Sequence, residues 1–391
     1  MGSLKKLSII VMGLFLVMML LVAGCGGSTP EGKKEGTTPK PEEGGALLKG
    51  TVYLPGMGGH IAVANVEIDP SNSDEPIKIV GKLDKIHLGN KEEWATHDVR
   101  VDKEDNNVAY SSSYVKDSNG KIRVAKIDLA NLEMTQEELL DVHERLIEQP
   151  MYCASGQSKD MFLPVMMGYE GWIDVVNKES LELKHRVFFD DDQITKDYIF
   201  AHGVHTPDMK HFLLSLNETS KNLAKKAPPR GNPNFLLYLL DMDELTQGKI
   251  KIVKSSSVEA DPNSSIAFRQ HFTTDGKYLL QSGRDRALVI DADTLETVRK
   301  IDLPKEFDTQ YECHDVIATA DNKYAVLAVR VPLMVEGVND PIMDGKIFLV
   351  DIEKGTLIGN GTSVCRGCHD EYPSLKTKTS VLCGIDAVWE K

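Results

Sequence analysis

His271-Phe272-Thr273-Thr274-Asp275-Gly276-Lys277-Tyr278-Leu279-Leu280-Gln281-Ser282 leads through Gly283-Arg284-Asp285 into Ala287-Leu288-Val289-Ile290-Asp291-Ala292-Asp293-Thr294-Leu295-Glu296-Thr297-Val298, and this stretch decides the fold. An extended run meets a polar turn at Asp275-Gly276-Lys277-Tyr278, and an apolar run returns. The run Ala287 to Asp291 then ends at an aspartate and a short linking turn. Asp, Asn and Gly between such runs favour hairpins, because they tolerate the left-handed backbone and bond their own main chain. The stretch predicts four short strands in succession.

The first half of this unit recurs at His97-Asp98-Val99 to Ser113, His202-Gly203-Val204 to Leu216 and His314-Asp315-Val316 to Arg330. The turns there hold Asp105-Asn106, Asp208-Met209-Lys210 and Asp321-Asn322-Lys323-Tyr324. The second half recurs at Val124 to Leu129, Trp172-Ile173-Asp174-Val175-Val176, Leu236 to Asp241 and Ile347-Phe348-Leu349-Val350-Asp351. Units counted from His97, Tyr152, His202, His271 and His314 are spaced by 55, 50, 69 and 43 residues, and His369 stands 55 further on. Four short strands per unit at this period describe a β-propeller. The last unit runs out of chain near Trp389, so its missing strands are expected from Thr51 to Val80, where Ile61 to Val66 has the right character. Joining strands from both termini protects the sheet edges that an open array exposes. The expectation is an all-β chain: a single propeller of six four-stranded blades, with room in the long intervals for a seventh. A two-sheet sandwich is the alternative. One helix is predicted at Thr135 to Ile147, where Leu139, Leu140, His143, Leu146 and Ile147 fall at helical spacing. Lys221 to Pro233 reads as a long exposed loop.

Upstream, Lys5 and Lys6 form a basic start before an apolar run from Leu7 to Ala23. The following Val22-Ala23-Gly24-Cys25 resembles a bacterial lipobox, which implies removal of a signal peptide, residues 1–24, and acylation of Cys25. An ordinary signal peptide or a membrane-spanning anchor is the alternative, and the run is at the short limit for a span. Residues 25–46 are Gly, Ser, Thr, Pro, Lys and Glu with almost no apolar side chain, and are read as a lipidated tether. Residues 47–391 hold the propeller. The expected location is extracytoplasmic, a lipoprotein of the cell envelope whose membrane contact runs through Cys25. The formal charge is −14, or −16 once Lys5 and Lys6 are removed, which argues against nucleic acid as a partner. Five cysteines remain besides Cys25, in a compartment that permits disulfides.

Cys365-Arg366-Gly367-Cys368-His369 is Cys-x-x-Cys-His, the attachment pattern of c-type cytochromes. Two thiols at this spacing can bind the two vinyl groups of one haem c, with His369 as the proximal iron ligand. A Cys365–Cys368 disulfide, a zinc site with Cys383, and a surface histidine are the alternatives. Only 22 residues follow His369, so a haem there is expected to rest against the propeller itself. If His369 starts the last blade, its imidazole joins the other blade-start histidines. His97, His202, His271 and His314, with His60, His205 and Cys153 behind them, are thus candidates for a distal ligand or channel site. Counted back from the first turn aspartate, His97, His202 and His271 lie 8, 6 and 4 residues away but His314 lies 7 away, so His314 needs a bulge to join the set. The methionines from Met161 to Met167 could offer a thioether, although a core strand is the commoner reason for such a run.

Ser282-Gly283-Arg284-Asp285 with Ala287 to Leu303 resembles the haem-associated propellers of cytochrome-type nitrite reductase. Those enzymes hold a second haem over the propeller axis and carry haem c in a separate N-terminal domain, whereas the attachment run here is near the other end. The histidine set is similar to that of nitrous oxide reductase, whose propeller binds a multicopper cluster. The units also resemble WD-type propellers, in which a blade histidine can serve a structural network with an aspartate. Three functions follow as expectations. The first is a lipid-anchored monohaem cytochrome in respiratory electron transfer, passing electrons to a redox partner protein or to a small-molecule acceptor at the axis. The second is a histidine-lined copper oxidoreductase, and the third is a protein-binding scaffold.

Overall fold

The computed structural model describes residues 47–90, 94–144, 152–168, 170–189, 194, 198–218, 234–259, 267–306, 309–334, 342–364 and 382–390. All of these fall in the second of two units, Met1–Glu43 and Gly44–Lys391. Cys25, Cys365, Cys368, His369 and the loop expected at 221–233 lie outside the described residues.

The first sheet holds β1 (Leu48–Pro55), β2 (His60–Ile68), β3 (Ile77–Ile79) and β4 (Asp84–His87), the last two both paired with β2. The next blade is β5 (Thr96–Val101), β6 (Val108–Ser113), β7 (Lys121–Asp128) and β8 (Glu133–Asp141). The third is β9 (Tyr152–Gln157), β10 (Met161–Met166), β11 (Trp172–Asn177) and β12 (Leu183–Phe188). The fourth runs β13 (Tyr198–His205), β14 (His211–Glu218), β15 (Asn234–Asp241), a one-turn helix α1 (Met242–Thr246) and β16 (Ile252–Glu259). The fifth is β17 (Gln270–Phe272), β18 (Tyr278–Gly283), β19 (Arg286–Asp291) and β20 (Thr297–Asp302). A two-residue ribbon, β21 (Lys305–Glu306) with β22 (Thr309–Gln310), precedes the sixth: β23 (Glu312–Ala318), β24 (Tyr324–Leu333), β25 (Ile342–Asp351) and β26 (Thr356–Ser363). Finally β27 (Asp386–Trp389) pairs antiparallel with β1, Gly50 opposite Trp389 and Tyr53 opposite Asp386. The chain is a six-bladed β-propeller whose first blade is closed by strands from both ends, as the repeat count predicts.

The turns explain why these residues make these blades. Thr206, Thr273 and Thr319 each donate a side-chain bond to an aspartate two residues on, Asp208, Asp275 and Asp321. Each aspartate then accepts the amide of the residue two further along. At the outer end, Asp128, Asn177, Asp291 and Asp351 close the third-strand turns by accepting amides two or three residues ahead, and Asp241 caps α1 in the same way. Short polar side chains thus satisfy amides that the ladder cannot reach.

The core lies between blades. Leu163, Val165, Ile173 and Val175 of the third blade meet Phe212, Leu214, Tyr238 and Leu240 of the fourth. Each such fully buried side chain contributes roughly 1.5–3 kcal/mol. Gly203 is required there, because a Cβ would strike the Phe212 ring.

Two expectations are corrected. The predicted helix from Thr135 is strand β8 as far as Asp141, paired residue by residue with β7. It is an outermost strand with one edge in water. Its glutamates serve the sheet, Glu137 pairing with Arg123, and Leu139 is 41% exposed while Leu140 is buried. The helical spacing of its leucines marks no common face. Nor does the last blade start at His369. Its innermost strand is Asp386–Trp389, because the edge of β1 is free to receive a strand only there.

Candidate functional site

β5, β9, β13, β17, β23 and β27 are the innermost strands and stand side by side around the axis. The same antiparallel unit repeats, so all run one way, from a starting face to a far face. Side chains along them fall into three levels.

At the starting face, His97, Cys153, His202 and His314 come together from four blades. Nδ1 of His97 lies 3.3 Å from Sγ of Cys153, and its ring stacks on Tyr114 at 3.6 Å. The His97 and His314 rings meet edge-on at 6.4 Å. Phe268 stacks on His314 at 4.4 Å and meets His202 edge-on at 6.2 Å. None of the three histidines is more than 5% exposed. His97 Nε2 and both ring nitrogens of His202 are buried without a hydrogen-bond partner, and His314 Nε2 faces Glu312 at 3.5 Å. Burial, with the charges of Arg269 and Arg330 nearby, lowers all three: His202 to about 3, His314 to about 4 and His97 well below its usual value. They are neutral imidazoles at pH 7. Burial likewise pushes the Cys153 thiol up to about 11, so it is not a thiolate.

Both His97 and His314 sit where the ladder slips by one residue, between Thr96 and Asp98 and between Cys313 and Asp315. A bulge re-aims a side chain. It brings His314 into the set as its odd spacing requires, and His97 has one too. In each case the next residue is an aspartate that turns into the middle level.

That middle level is a charged plug. Nη1 of Arg269 lies 3.6 Å from Asp98 and 3.5 Å from Asp315, and Nη2 donates to the Cys153 carbonyl. Arg100 reaches Asp98 at 3.4 Å and His271 at 2.9 Å, and His271 lies 3.5 Å from Asp315. Ser155 donates to Asp98, and the Ile385 amide donates to Asp315 at 3.0 Å. Gly384 gives Arg269 its room, since a Cβ there would overlap the guanidinium. Burial raises Asp98 despite its arginines. Burial also works against the Asp315 carboxylate, but His271, Arg269 and Arg100 hold it below the ordinary range. Two arginines against two aspartates leave the plug nearly balanced.

The histidine level is tied to the rest of the starting face. Arg330 donates to the Leu382 carbonyl at 2.8 Å, to Cys383 Sγ at 3.1 Å and to Glu312 at 3.0 Å, and Glu312 lies 3.5 Å from His314. On the sixth blade Cys313 pairs with Val329, Val329 with Lys346 and Lys346 with Ser363. Ser363 therefore stands at the height of His314.

Of the residues singled out in the sequence, His97, His202, His314 and Cys153 are brought together, and His271 lies one level deeper. His205 is at the far face. His60 does not join them: it starts β2, away from the axis, with its ring 6.4 Å from His87. Met166 packs with Tyr152 and Trp172 in the core. Cys153 and Cys313 are free thiols. Among the described residues, no group of three or more His, Cys, Asp or Glu is arranged to hold a metal ion. Arg269, Phe268, Tyr114 and the Arg330–Glu312 pair carry no motif. The repeated His-Asp-Val at 97–99 and 314–316 is the signal that marks Asp98 and Asp315.

No protein-family model matches the chain, and no curated protein matches it. Among solved structures, the β-propeller domain of Cps50 (Swd1) from Myceliophteria thermophila is similar at 13% identity. It covers 80% of this chain and 86% of that one, with a TM-score of 0.45. Hydrazine synthase from Kuenenia stuttgartiensis is similar at 14% identity with a TM-score of 0.41. The match covers 66% of this chain and 63% of that one, so this chain spans less than two thirds of its length.

Proposed function

We propose that the protein is an exported, lipid-anchored monohaem c-type cytochrome that handles electrons at the starting face of its propeller. Cys365 and Cys368 would hold the haem through thioethers, and His369 would be its proximal ligand. One of His97, His202 and His314 would be the second ligand. Acylated Cys25 and the tether to residue 46 would keep the body at the membrane.

The observation that carries this reading is the set of buried, neutral imidazoles at the starting face, of which His97 Nε2 and both His202 nitrogens have no partner. A buried polar atom without a partner costs about 1–3 kcal/mol, and it persists where a ligand or function repays it. A neutral imidazole nitrogen is the form that binds iron. The chain on either side of residues 365–381 supports the same reading. Val364, next to Ser363, is fixed by its amide to the Gly345 carbonyl at 2.9 Å, and the Leu382 carbonyl accepts from Arg330, which also pairs with the Glu312 that faces His314. Haem supplies a one-electron couple whose use is set by its axial ligands. The protein's part is to present the imidazole neutral, to hold it by stacking on Tyr114 or Phe268, and to keep water from the level beneath with the charged plug.

The test is an absorption spectrum of the purified, reduced protein, repeated after denaturation and acid-solvent extraction. A c-type spectrum that stays with the polypeptide, and is lost in a Cys365→Ser, Cys368→Ser double variant, is the expected result. No haem, or haem that leaves with the solvent, would defeat the reading, and copper without haem would replace it with a copper oxidoreductase.

A further inference from the structure

The far mouth of the axis is chemically unlike the starting face. A cavity of about 170 Å³ opens there between three blades, lined by Arg100 and Lys103 from the second, His205 and Pro207 from the fourth, and His271 and Phe272 from the fifth. Its polar lining is cationic or imidazole apart from Thr274, whose hydroxyl bonds Asn322. Nε of Arg100 and Nδ1 of His205 are buried without a hydrogen-bond partner. The buried carboxylates near it are already matched: Asp102 pairs with Lys178 at 3.1 Å, and Asp98 and Asp315 balance Arg269 and Arg100 in the plug. The Lys103 side chain is exposed and has no ion pair among the described residues. The unmatched positive charge is therefore that of Lys103, at a space which Arg100 also lines and which is below the ~300 Å³ at which pockets for drug-sized ligands begin. Burial, then Lys103 and Arg100, push His205 well below its usual range.

We propose that this mouth is a binding site for a small inorganic oxyanion, held between Lys103, Arg100, His205 and His271. The proposal does not depend on a haem at the other face. Arg100 supplies a guanidinium already oriented by Asp98 and His271, and guanidinium with imidazole N–H groups matches the acceptor geometry of an oxyanion. Lys103 is the adaptable point charge at the rim.

Isothermal titration of the mature chain with nitrate and with inorganic phosphate, at low ionic strength and with chloride as the control, tests this. The expected result is saturable one-to-one binding of at least one oxyanion, with chloride a poor competitor. Lys103→Gln, at an exposed position, should weaken binding about five-fold without changing the melting temperature. Lys103→Glu should remove it. No saturable heat with either oxyanion, equal binding of chloride, or unchanged affinity in Lys103→Glu would overturn the site.

Discussion

Two buried polar groups in this propeller are built on opposite terms. In the third blade Tyr152 donates to Asp174, the Trp172 indole donates to the Tyr152 hydroxyl at 3.1 Å, and Arg186 meets both oxygens of Asp174 at 2.7 and 3.0 Å while lying over Trp172. Donors and acceptors are matched there. At the starting face of the axis, His97 and His202 are as deeply buried but leave ring nitrogens unmatched. A matched buried network holds a fold together, whereas an unmatched one costs stability and is kept for something else. The difference separates scaffold from site without reference to any motif.

The sharpest way to break this comparison is to remove one partner from the matched group. Asp174→Ala leaves the Arg186 charge buried and the Tyr152 hydroxyl without its acceptor, and should cost about 3–5 kcal/mol. Urea unfolding checks it, and a loss below about 1 kcal/mol would erase the distinction. The pH dependence of stability is the next largest effect. The folded-state values of His202 and His314, about 3 and 4, lie below the ordinary 6.5 because burial opposes the charged form. The unfolded chain thus binds protons that the folded chain refuses, so stability falls as pH drops below 6.5 and is unaffected above it. Between pH 6.5 and 5 each of these histidines should cost about 2 kcal/mol. His202→Phe should flatten that slope by one histidine's share. At pH 7 it should change stability by no more than about 1 kcal/mol, because it deletes two orphaned nitrogens along with the imidazole. A slope unchanged in this variant would show His202 to be solvated and outside the group.

The blades were legible because their turns are local. Thr206, Thr273 and Thr319 with their aspartates close hairpins through bonds spanning two residues, and such chemistry is written in the sequence. Strand β8 was not legible, because an outermost strand with one edge in water takes the same Glu, Gln and Leu that make a surface helix, and only pairing with β7 decides it. At the site, parity asked for a bulge at His314, where the ladder slips, but gave no sign of the equal slip at His97. His60 misled because a histidine before an apolar run looks alike on an inner strand and on β2. The plug was invisible for the opposite reason. Arg269 meets Asp98 and Asp315 across three blades, and nothing local to residue 269 announces it.

The proposal that one of the starting-face imidazoles ligates a haem is read by the spin state which that haem would have in its ferric form. Electron paramagnetic resonance of the oxidised protein, beside His97→Phe, His202→Phe and His314→Phe variants, reads it directly. A low-spin signal that turns high-spin in one of the three is the predicted result. A low-spin signal untouched in all three would contradict the account, since the second ligand would then come from elsewhere.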